Sequence, residues 1–383
     1  MKLPIILSAT VFGAWLWITV VSATGWRRSR KLRALPADGQ RTLPRLSIVV
    51  PALNEESGIE PAMRTLLALE YPDFEVIAVD DRSTDETGAI LDRLSAEDTR
   101  LRVVHVTTLS PGWLGKNHAL HAGSQAARGE WILFTDADVH FAPDCLRRAV
   151  RYAEAVNLDH LTAYPDIELR GFWETLFVFF FGTIFNMRYQ PWKAGEPSAA
   201  HYMGIGAFNL VRASHYRKMG GHASLPMDIA DDMKLGKRMK ESGGRQECVE
   251  GFGMVRVRWV EGLRGAILGL EKNAFAGTDF KVTTVLAASA ALITSSVWPV
   301  AGLFFGPPGA RLLCAGTLGM LMYLVRAATP TPGVSPLYGL AFPLGGILFV
   351  FIMIRSMVLT LRQGGVIWRG TFYPLADLRK GIV

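Results

Sequence analysis

The sequence has few of the features that mark disulfide-rich, zinc-binding or repetitive proteins. Only 3 of its 383 residues are cysteines, and none forms a CxxC pair or lies at ligand spacing from a histidine. This excludes a disulfide framework and a cysteine-rich zinc site. No internal repeat or low-complexity tract is present. Charged residues make up only 20% of the chain and hydrophobic residues 50%, which is too apolar for a purely soluble enzyme.

The first apolar segment predicts a membrane anchor. Pro4 to Ala23 carries no charge and is long enough to cross a bilayer, although a signal peptide is the alternative. A basic cluster follows this segment rather than precedes it: Arg27, Arg28, Arg30, Lys31 and Arg33. Basic flanks lie on the cytoplasmic side, so we expect an anchor over 1–25, with its N-terminus outside, and a basic linker over 26–45. We therefore attribute the net charge of +7 to the orientation of the chain in the membrane and to contact with anionic lipids. No nucleic-acid partner is expected.

The central region alternates β-rich runs with amphipathic segments. The runs are 46–50, 74–80, 101–106 and 131–136, separated by helical patterns at 58–69, 85–96 and 117–127. This alternation predicts βαβ units and therefore an α/β domain, placed at 46–280, with a parallel sheet. Ligands bind beyond the carboxyl ends of the strands in such sheets, and polar motifs follow the strands at that edge.

Apolar segments return after the central domain. The candidates for membrane spans are 282–305, 312–325 and 337–354. The second lies between Arg311 and Arg326 and is short for a span. We expect a membrane region over 281–361 and a tail over 362–383. The basic tail favours an even number of crossings, with 312–325 re-entrant or interrupted. The aromatic stretch Phe172–Phe185 is either a buried core helix or an interfacial helix.

Three polar motifs follow the predicted strands. They are Pro51-Ala52-Leu53-Asn54-Glu55-Glu56, Asp80-Asp81-Arg82-Ser83-Thr84-Asp85, and Asp136-Ala137-Asp138. Each alone fits an ordinary turn or helix cap. In this order, each at a strand end, they resemble the family-2 glycosyltransferases of the GT-A fold, a Rossmann-like nucleotide-diphospho-sugar transferase fold.

The resemblance implies a donor site built on these motifs. Asp136 and Asp138 would hold a divalent cation on the donor diphosphate, with the small Ala137 between them. Such a cation stabilises the charge of the leaving nucleoside diphosphate, and oxygen ligands suit Mg²⁺ or Mn²⁺. The implied nucleoside pocket consists of Pro51, Ala52, Asn54 and Glu55, together with Asp80 or Asp81. A carboxylate there would accept from the imide N–H of uracil, which favours a UDP-sugar. Lys116, in a stretch similar to the GK segment of the family, is expected near phosphate.

The resemblance extends to the acceptor side. Gly206 and Ala207 fall in the acceptor region of the family, and Asp231-Asp232 resembles its pair of carboxylates at a helix start. The second carboxylate of that pair is the general base, which implies that Asp232 is catalytic. Asp231 is then expected to cap the helix or to bind acceptor hydroxyls. Both carboxylates also fit plain helix capping.

One family motif is missing. Processive synthases carry QxxRW, whereas this chain has Arg256-Val257-Arg258-Trp259 in the corresponding region. The pattern is closer to the non-processive hopanoid, carotenoid and ceramide glycosyltransferases, whose WRGRxY tail resembles Trp368-Arg369-Gly370, with Thr371 replacing an arginine.

The residues and the resemblance together predict a multi-pass inner-membrane enzyme with a cytoplasmic catalytic domain. It would transfer a sugar from a nucleotide sugar to a lipid acceptor with inversion. A processive polysaccharide synthase and a non-catalytic lipid-binding scaffold are the alternatives.

Overall fold

The computed structural model describes residues 2–39, 42–328 and 334–380. The helices are α1 (Lys2–Arg28), α2 (Ile59–Leu67), α3 (Thr87–Glu97), α4 (Gly115–Ala126), α5 (Cys145–Ala155), α6 (Phe172–Tyr189), α7 (Ala213–Lys218), α8 (Asp231–Glu241), α9 (Gly262–Glu271), α10 (Asn273–Ala276), α11 (Val282–Phe305), α12 (Pro308–Ala328), α13 (Phe342–Gln363) and α14 (Leu375–Lys380). The strands are β1 (Leu46–Ala52), β2 (Phe74–Asp81), β3 (Leu101–Val106), β4 (Trp131–Phe134), β5 (His140–Phe141), β6 (His160–Tyr164), β7 (Asp166–Ile167), β8 (Asn209–Arg212), β9 (Gln246–Glu250), β10 (Val255–Val257), β11 (Gly365–Trp368) and β12 (Thr371–Pro374).

The described residues form two compact units. The α/β unit contains residues 29–168 and 191–259, and the helical unit contains 2–28, 169–190 and 260–379. Each unit has its own hydrophobic core.

The α/β unit is built on a seven-stranded sheet. The strand order is β3-β2-β1-β4-β8-β6-β9. Strands β3, β2, β1 and β4 run parallel to one another, whereas β8 is antiparallel to both of its neighbours. The predicted α/β class and parallel sheet are therefore confirmed, and the antiparallel β8 makes the whole sheet mixed.

Helices cover both faces of this sheet, which explains why its central strands β1, β2 and β4 are almost entirely buried. All eight residues of β2 are buried. Alternate residues of β1 face opposite cores, since Ile48 and Val50 pack in one cluster and Val49 in the other. Gly123 lets α4 pack closely against β1, because it has no side chain. A Cβ at this position would lie only 2.4 Å from Val49 Cγ1. The close approach brings the N-terminus of α4 to the edge of the sheet where the motifs lie.

The helical unit consists mainly of long apolar helices. Four helices in the described part of the chain are long and apolar enough to cross a membrane: α1, α11, α12 and α13. Helix α12 runs without a break over 308–328 and so extends past both Arg311 and Arg326. The short length of 312–325 therefore gives no reason to expect a re-entrant segment. The even number of crossings stays a prediction.

The aromatic stretch Phe172–Phe185 lies in α6, which packs inside the helical unit. Phe177 and Phe180 are fully buried, and the Phe180 ring lies 4.6 Å from that of Phe342 on α13. Phe172 and Trp173, at the start of α6, are exposed. Most of this helix is thus a core helix of its unit.

Candidate active site

The predicted motifs meet at the carboxyl edge of the parallel strands. Register pairs Ala52 of β1 with Asp80 of β2, and Val49 of β1 with Phe134 of β4. The loops that follow these three strands therefore start side by side. Ala52 and Ala137 are both buried. Pro51 is half-buried at the end of β1.

The loops after β1 and β2 are tied together by hydrogen bonds. The Thr84 N–H donates to Asn54 Oδ1 at 2.8 Å, and the Asn54 N–H donates to Ser83 Oγ at 3.1 Å. Asn54 adopts a left-handed φ of 55°, which asparagine tolerates better than most residues. The Glu55 N–H donates to Thr87 Oγ1 at 2.8 Å. These bonds fix the backbone of the expected nucleoside pocket.

Asp80 and Asp81 have different partners. Arg82 donates from Nε and Nη2 to the two Asp81 oxygens, each at 2.8 Å, and so covers this buried carboxylate. Asp80 accepts from the Ser83 N–H at 3.3 Å and lies 2.9 Å from His105 Nδ1.

His105 was missed by the sequence analysis. Its Nε2 lies 3.0 Å from Asp92 Oδ1, so the imidazole stands between two carboxylates. The hydrogen bonds to Asp92 and then to Asp80 raise the pKa of His105. Strand register places His105 directly beside Asp80. The available signal was a histidine near the end of the predicted strand Leu101–Val106, where Arg102 is the only other polar residue.

Lys116 links two separate groups of carboxylates. Its Nζ lies 2.7 Å from Asp136 Oδ1 and 3.3 Å from Asp231 Oδ2. Burial on its own would lower the pKa of Lys116, but the carboxylates of Asp136 and Asp231 outweigh it and raise that pKa. The side chain is therefore an ammonium ion that connects the start of α4, the loop after β4 and the start of α8.

The pair Asp136 and Asp138 forms a centre of negative charge. Loss of water contacts, together with repulsion from Asp136 and Glu55, raises the pKa of Asp138 to about 6, although the side chain is open to solvent on one side. Such crowding of carboxylates favours a bound cation, and oxygen donors suit Mg²⁺ or Mn²⁺. Across the residues that the structure describes, no three His, Cys, Asp or Glu side chains converge into a metal cage. The pair thus fits a cation that takes its other ligands from phosphate or water.

Asp232 lies beside this pair and is held by two backbone groups. Its Oδ2 accepts from the Gly206 N–H at 2.9 Å, and its Oδ1 accepts from the Met233 N–H at 2.7 Å. Burial, followed by repulsion from Asp231, raises the pKa of Asp232 above the ordinary range of a carboxyl group. Asp231 is 6% exposed and faces Lys116.

Glycines allow the acceptor-side segment to pass between these carboxylates. A Cβ on Gly206 would lie 2.5 Å from Asp136 Oδ2, and a Cβ on Gly204 would lie 1.7 Å from the Asp232 carbonyl oxygen. The Asp136 N–H donates to the Gly206 carbonyl oxygen at 3.1 Å. Next to it, the Ala207 carbonyl accepts from Thr135 Oγ1 at 2.9 Å. The structure thus brings Gly206 and Ala207 to the aspartates, with Gly206 between Asp136 and Asp232.

A buried polar network behind this segment was not predicted. Gln246 Oε1 accepts from the Met203 N–H at 2.7 Å, and its Nε2 donates to the Gly236 carbonyl at 3.0 Å. Its Nε2 also lies 2.6 Å from Nδ1 of the fully buried His160. Gln246 thereby fixes both the segment before Gly204 and helix α8.

Comparison with known proteins shows what this chain is similar to. Residues 47–216 match the family described as Glycosyl transferase family 2. This region of the chain is therefore similar to a family-2 glycosyltransferase domain. The chain is 26% identical over 343 residues to 4,4'-diaponeurosporenoate glycosyltransferase of Staphylococcus aureus (strain USA300), covering 86% of this chain and 88% of the relative.

A solved structure shares the fold. A mannosyltransferase from Pyrobaculum calidifontis, in complex with GDP-Man and Mn²⁺, matches with a TM-score of 0.59 and 21% identity, covering 92% of this chain and 99% of that one. The predicted GT-A fold is therefore confirmed. The family match and the named relative support the predicted glycosyltransferase activity.

Proposed function

We propose that this glycosyltransferase moves a sugar from a UDP-sugar to a membrane lipid in one displacement, with inversion and without forming a polymer. The observation that carries the proposal is the meeting of Asp136, Asp138 and Lys116 with Asp232 at one edge of the sheet. A cation-binding pair, an ammonium ion and a fixed carboxylate of raised pKa are the groups that such a transfer needs.

The donor would lie across the loops after β1, β2 and β4. Asp80 or Asp81 would accept from the imide N–H of uracil, while Lys116 offers its charge to the diphosphate. Asp136 and Asp138 would hold Mg²⁺ or Mn²⁺, which when bound neutralises charge on the leaving nucleotide. The related mannosyltransferase was solved with a nucleotide sugar and Mn²⁺, which supports this use of the fold.

Asp232 would take the proton from the acceptor hydroxyl. Its two backbone hydrogen bonds, from Gly206 and Met233, fix the direction of the carboxylate and leave the second lone pair of each oxygen for the proton. A raised pKa favours proton acceptance near neutral pH. Asp231, already paired with Lys116, would support the acceptor or the lysine instead.

The acceptor is proposed to be a lipid in the inner membrane. Four apolar helices could span the bilayer, and the related Staphylococcus aureus enzyme is named for a carotenoid acid. The catalytic domain, proposed at 46–280, would face the cytoplasm, which the basic flank after α1 favours.

The test combines cellular lipids with purified enzyme. Mass spectrometry of lipid extracts from cells with and without the gene identifies the product, and a panel of UDP- and GDP-sugars identifies the donor. Asp138→Asn should abolish turnover without unfolding the protein. The control Asp73→Asn, at an exposed position, should leave turnover unchanged. EDTA should stop the reaction, and Mn²⁺ or Mg²⁺ should restore it. Full activity after thorough metal removal, or a polymeric product, would contradict the proposal.

A further inference from the structure

The C-terminal hairpin β11–β12 has one buried face and one exposed apolar face. Val366 and Tyr373, which pair across the two strands, are 6% and 5% exposed. The neighbouring pair, Ile367 and Phe372, is 57% and 48% exposed. Two-stranded hairpins are marginally stable in water, and an outward pair of large apolar side chains is an unusual surface for one.

The hairpin follows directly after a candidate membrane span. Helix α13 ends at Gln363 and β11 begins at Gly365, and the Leu375 N–H donates to the Gly364 carbonyl at 2.8 Å, which closes the hairpin against the end of the helix. The helix carries an exposed apolar stripe at helical spacing: Leu344, Ile347, Phe351, Ile354 and Leu361. Ile367 and Phe372 thus follow this stripe a short distance along the chain, after the last turn of α13.

Basic and aromatic groups surround this apolar pair. The segment 362–380 carries Arg362, Arg369, Arg379 and Lys380 against a single acidic residue, Asp377. Arg362, Arg369 and Arg379 are exposed. Lys272 Nζ lies 3.4 Å from the centre of the Trp368 ring. Tryptophan beside lysine and arginine is the usual composition at the level of lipid headgroups.

The turn of the hairpin also presents a cation. Arg369 and Gly370 both have positive φ, 47° and 79°, as a two-residue type I′ turn requires. Asn, Asp or Gly normally fills the first of these positions. Here arginine occupies it, at the tip of a hairpin that starts where a candidate span ends.

We propose that the β11–β12 hairpin is a contact for the surface of an anionic phospholipid bilayer. Ile367 and Phe372 enter the region between headgroups and acyl chains, and the arginines around them bind headgroup phosphates. The hairpin fixes the depth at which the end of α13 lies. This contact is separate from the donor site, and its test does not depend on sugar transfer.

The experiment places a fluorescent label on the hairpin of the full-length protein in nanodiscs. Ile367→Cys introduces one exposed thiol, while Cys145, Cys248 and Cys314 are buried. The label is an environment-sensitive dye, and the quenchers are phosphatidylcholine with a spin label at acyl position 5 or 16, and aqueous iodide. We expect strong quenching from position 5, weaker quenching from position 16, and protection from iodide.

Two matched comparisons test the apolar and the charged contributions. Phe372→Leu should keep the lipid quenching of the label, whereas Phe372→Ser should reduce it and admit iodide. Adding phosphatidylglycerol should increase the ratio of membrane-bound to unbound hairpin, and Arg369→Gln should lower that ratio by about fivefold in these membranes, the contribution of one basic side chain near an anionic surface. A label that iodide quenches freely and lipid does not would overturn the proposal. Protection from both quenchers would also overturn it, since protein or a second copy of the chain would then cover the face.

Discussion

Gly206→Ala tests whether the position of Asp136 controls the reaction. The new Cβ would lie 2.5 Å from Asp136 Oδ2, whereas ordinary contacts begin near 3.4 Å, so this carboxylate must move by about 0.9 Å. The backbone of residue 206 keeps its hydrogen bond to Asp232, because alanine retains the N–H. The substitution therefore displaces one proposed metal ligand and leaves the proposed base in place.

The expected effects on activity and stability differ sharply. A displacement of about 1 Å at a reacting group can cost about a hundredfold in rate, so kcat/KM for the donor should fall between about tenfold and a hundredfold. The Asp136 side chain is 38% exposed and can turn toward solvent, so the melting temperature should change by no more than about 2 °C.

Gly204→Ala is the matched control. Its Cβ would lie 1.7 Å from the Asp232 carbonyl oxygen and 3.0 Å from the Met233 nitrogen, which are backbone atoms that cannot turn away. Overpacking of this kind costs about 1–3 kcal/mol, which corresponds to several degrees in melting temperature. The measurements are donor kinetics, the Mn²⁺ concentration for half-maximal activity, and thermal unfolding. Normal turnover and Mn²⁺ dependence in Gly206→Ala would refute the reasoning, and so would a loss of stability equal to that of Gly204→Ala.

The remaining predictions concern the charged groups of the site. Asp232→Asn should lower kcat by at least about a hundredfold, with UDP affinity nearly unchanged, because general base catalysis contributes about 10²–10⁴ in rate. Asp231→Asn should lower kcat less than Asp232→Asn does. The base must be ionised and its pKa is raised, so kcat/KM of the wild type should decrease as the pH is lowered, with a midpoint clearly above about 4, the pKa of a free carboxyl group. A midpoint at or below about 4 would contradict the assignment of Asp232 as the base. Lys116→Gln leaves two carboxylates without their cation, so calorimetry should show a lower melting temperature and a larger stabilisation by Mn²⁺ than in the wild type. His105→Phe removes a partner of Asp80 and should raise the donor KM several-fold with kcat little changed; an unaltered KM would show that His105 has no role in donor binding.

The positions of the first four strands and of the motifs could be read from the sequence because both depend on local patterns. Apolar runs bounded by Gly, Pro and Asp define strands, and a polar motif directly after a strand must lie at the edge of the sheet. The beginning of α4 at Gly115, next to Lys116, also follows from local signals.

Long-range pairings could not be read in this way. The ion pair between Lys116 and Asp231 depends on how α4 and α8 pack together. The two residues are far apart in the sequence, and no local pattern predicts that they meet. The contact between Asp80 and His105 depends on strand register, and the role of Gln246 depends on two backbone groups from distant segments. The apolar segment 312–325 was predicted to be short because Arg311 and Arg326 border it, yet α12 continues past both residues. Arg311 donates to the Gly306 carbonyl, a contact that the sequence does not reveal, and its charge does not end the helix.

The ammonium group of Lys116 has a consequence for inhibitor chemistry. Many mimics of a glycosyl cation carry a protonated amine, and such an amine would have to compete with Lys116 for the same Asp136 oxygen. A lysine that is already part of the chain loses less freedom in forming this contact than a ligand arriving from solution, so the competition favours the enzyme. Compounds that present an anionic group to Lys116, with a neutral ring in place of the sugar, should therefore be the better starting point for selective inhibitors.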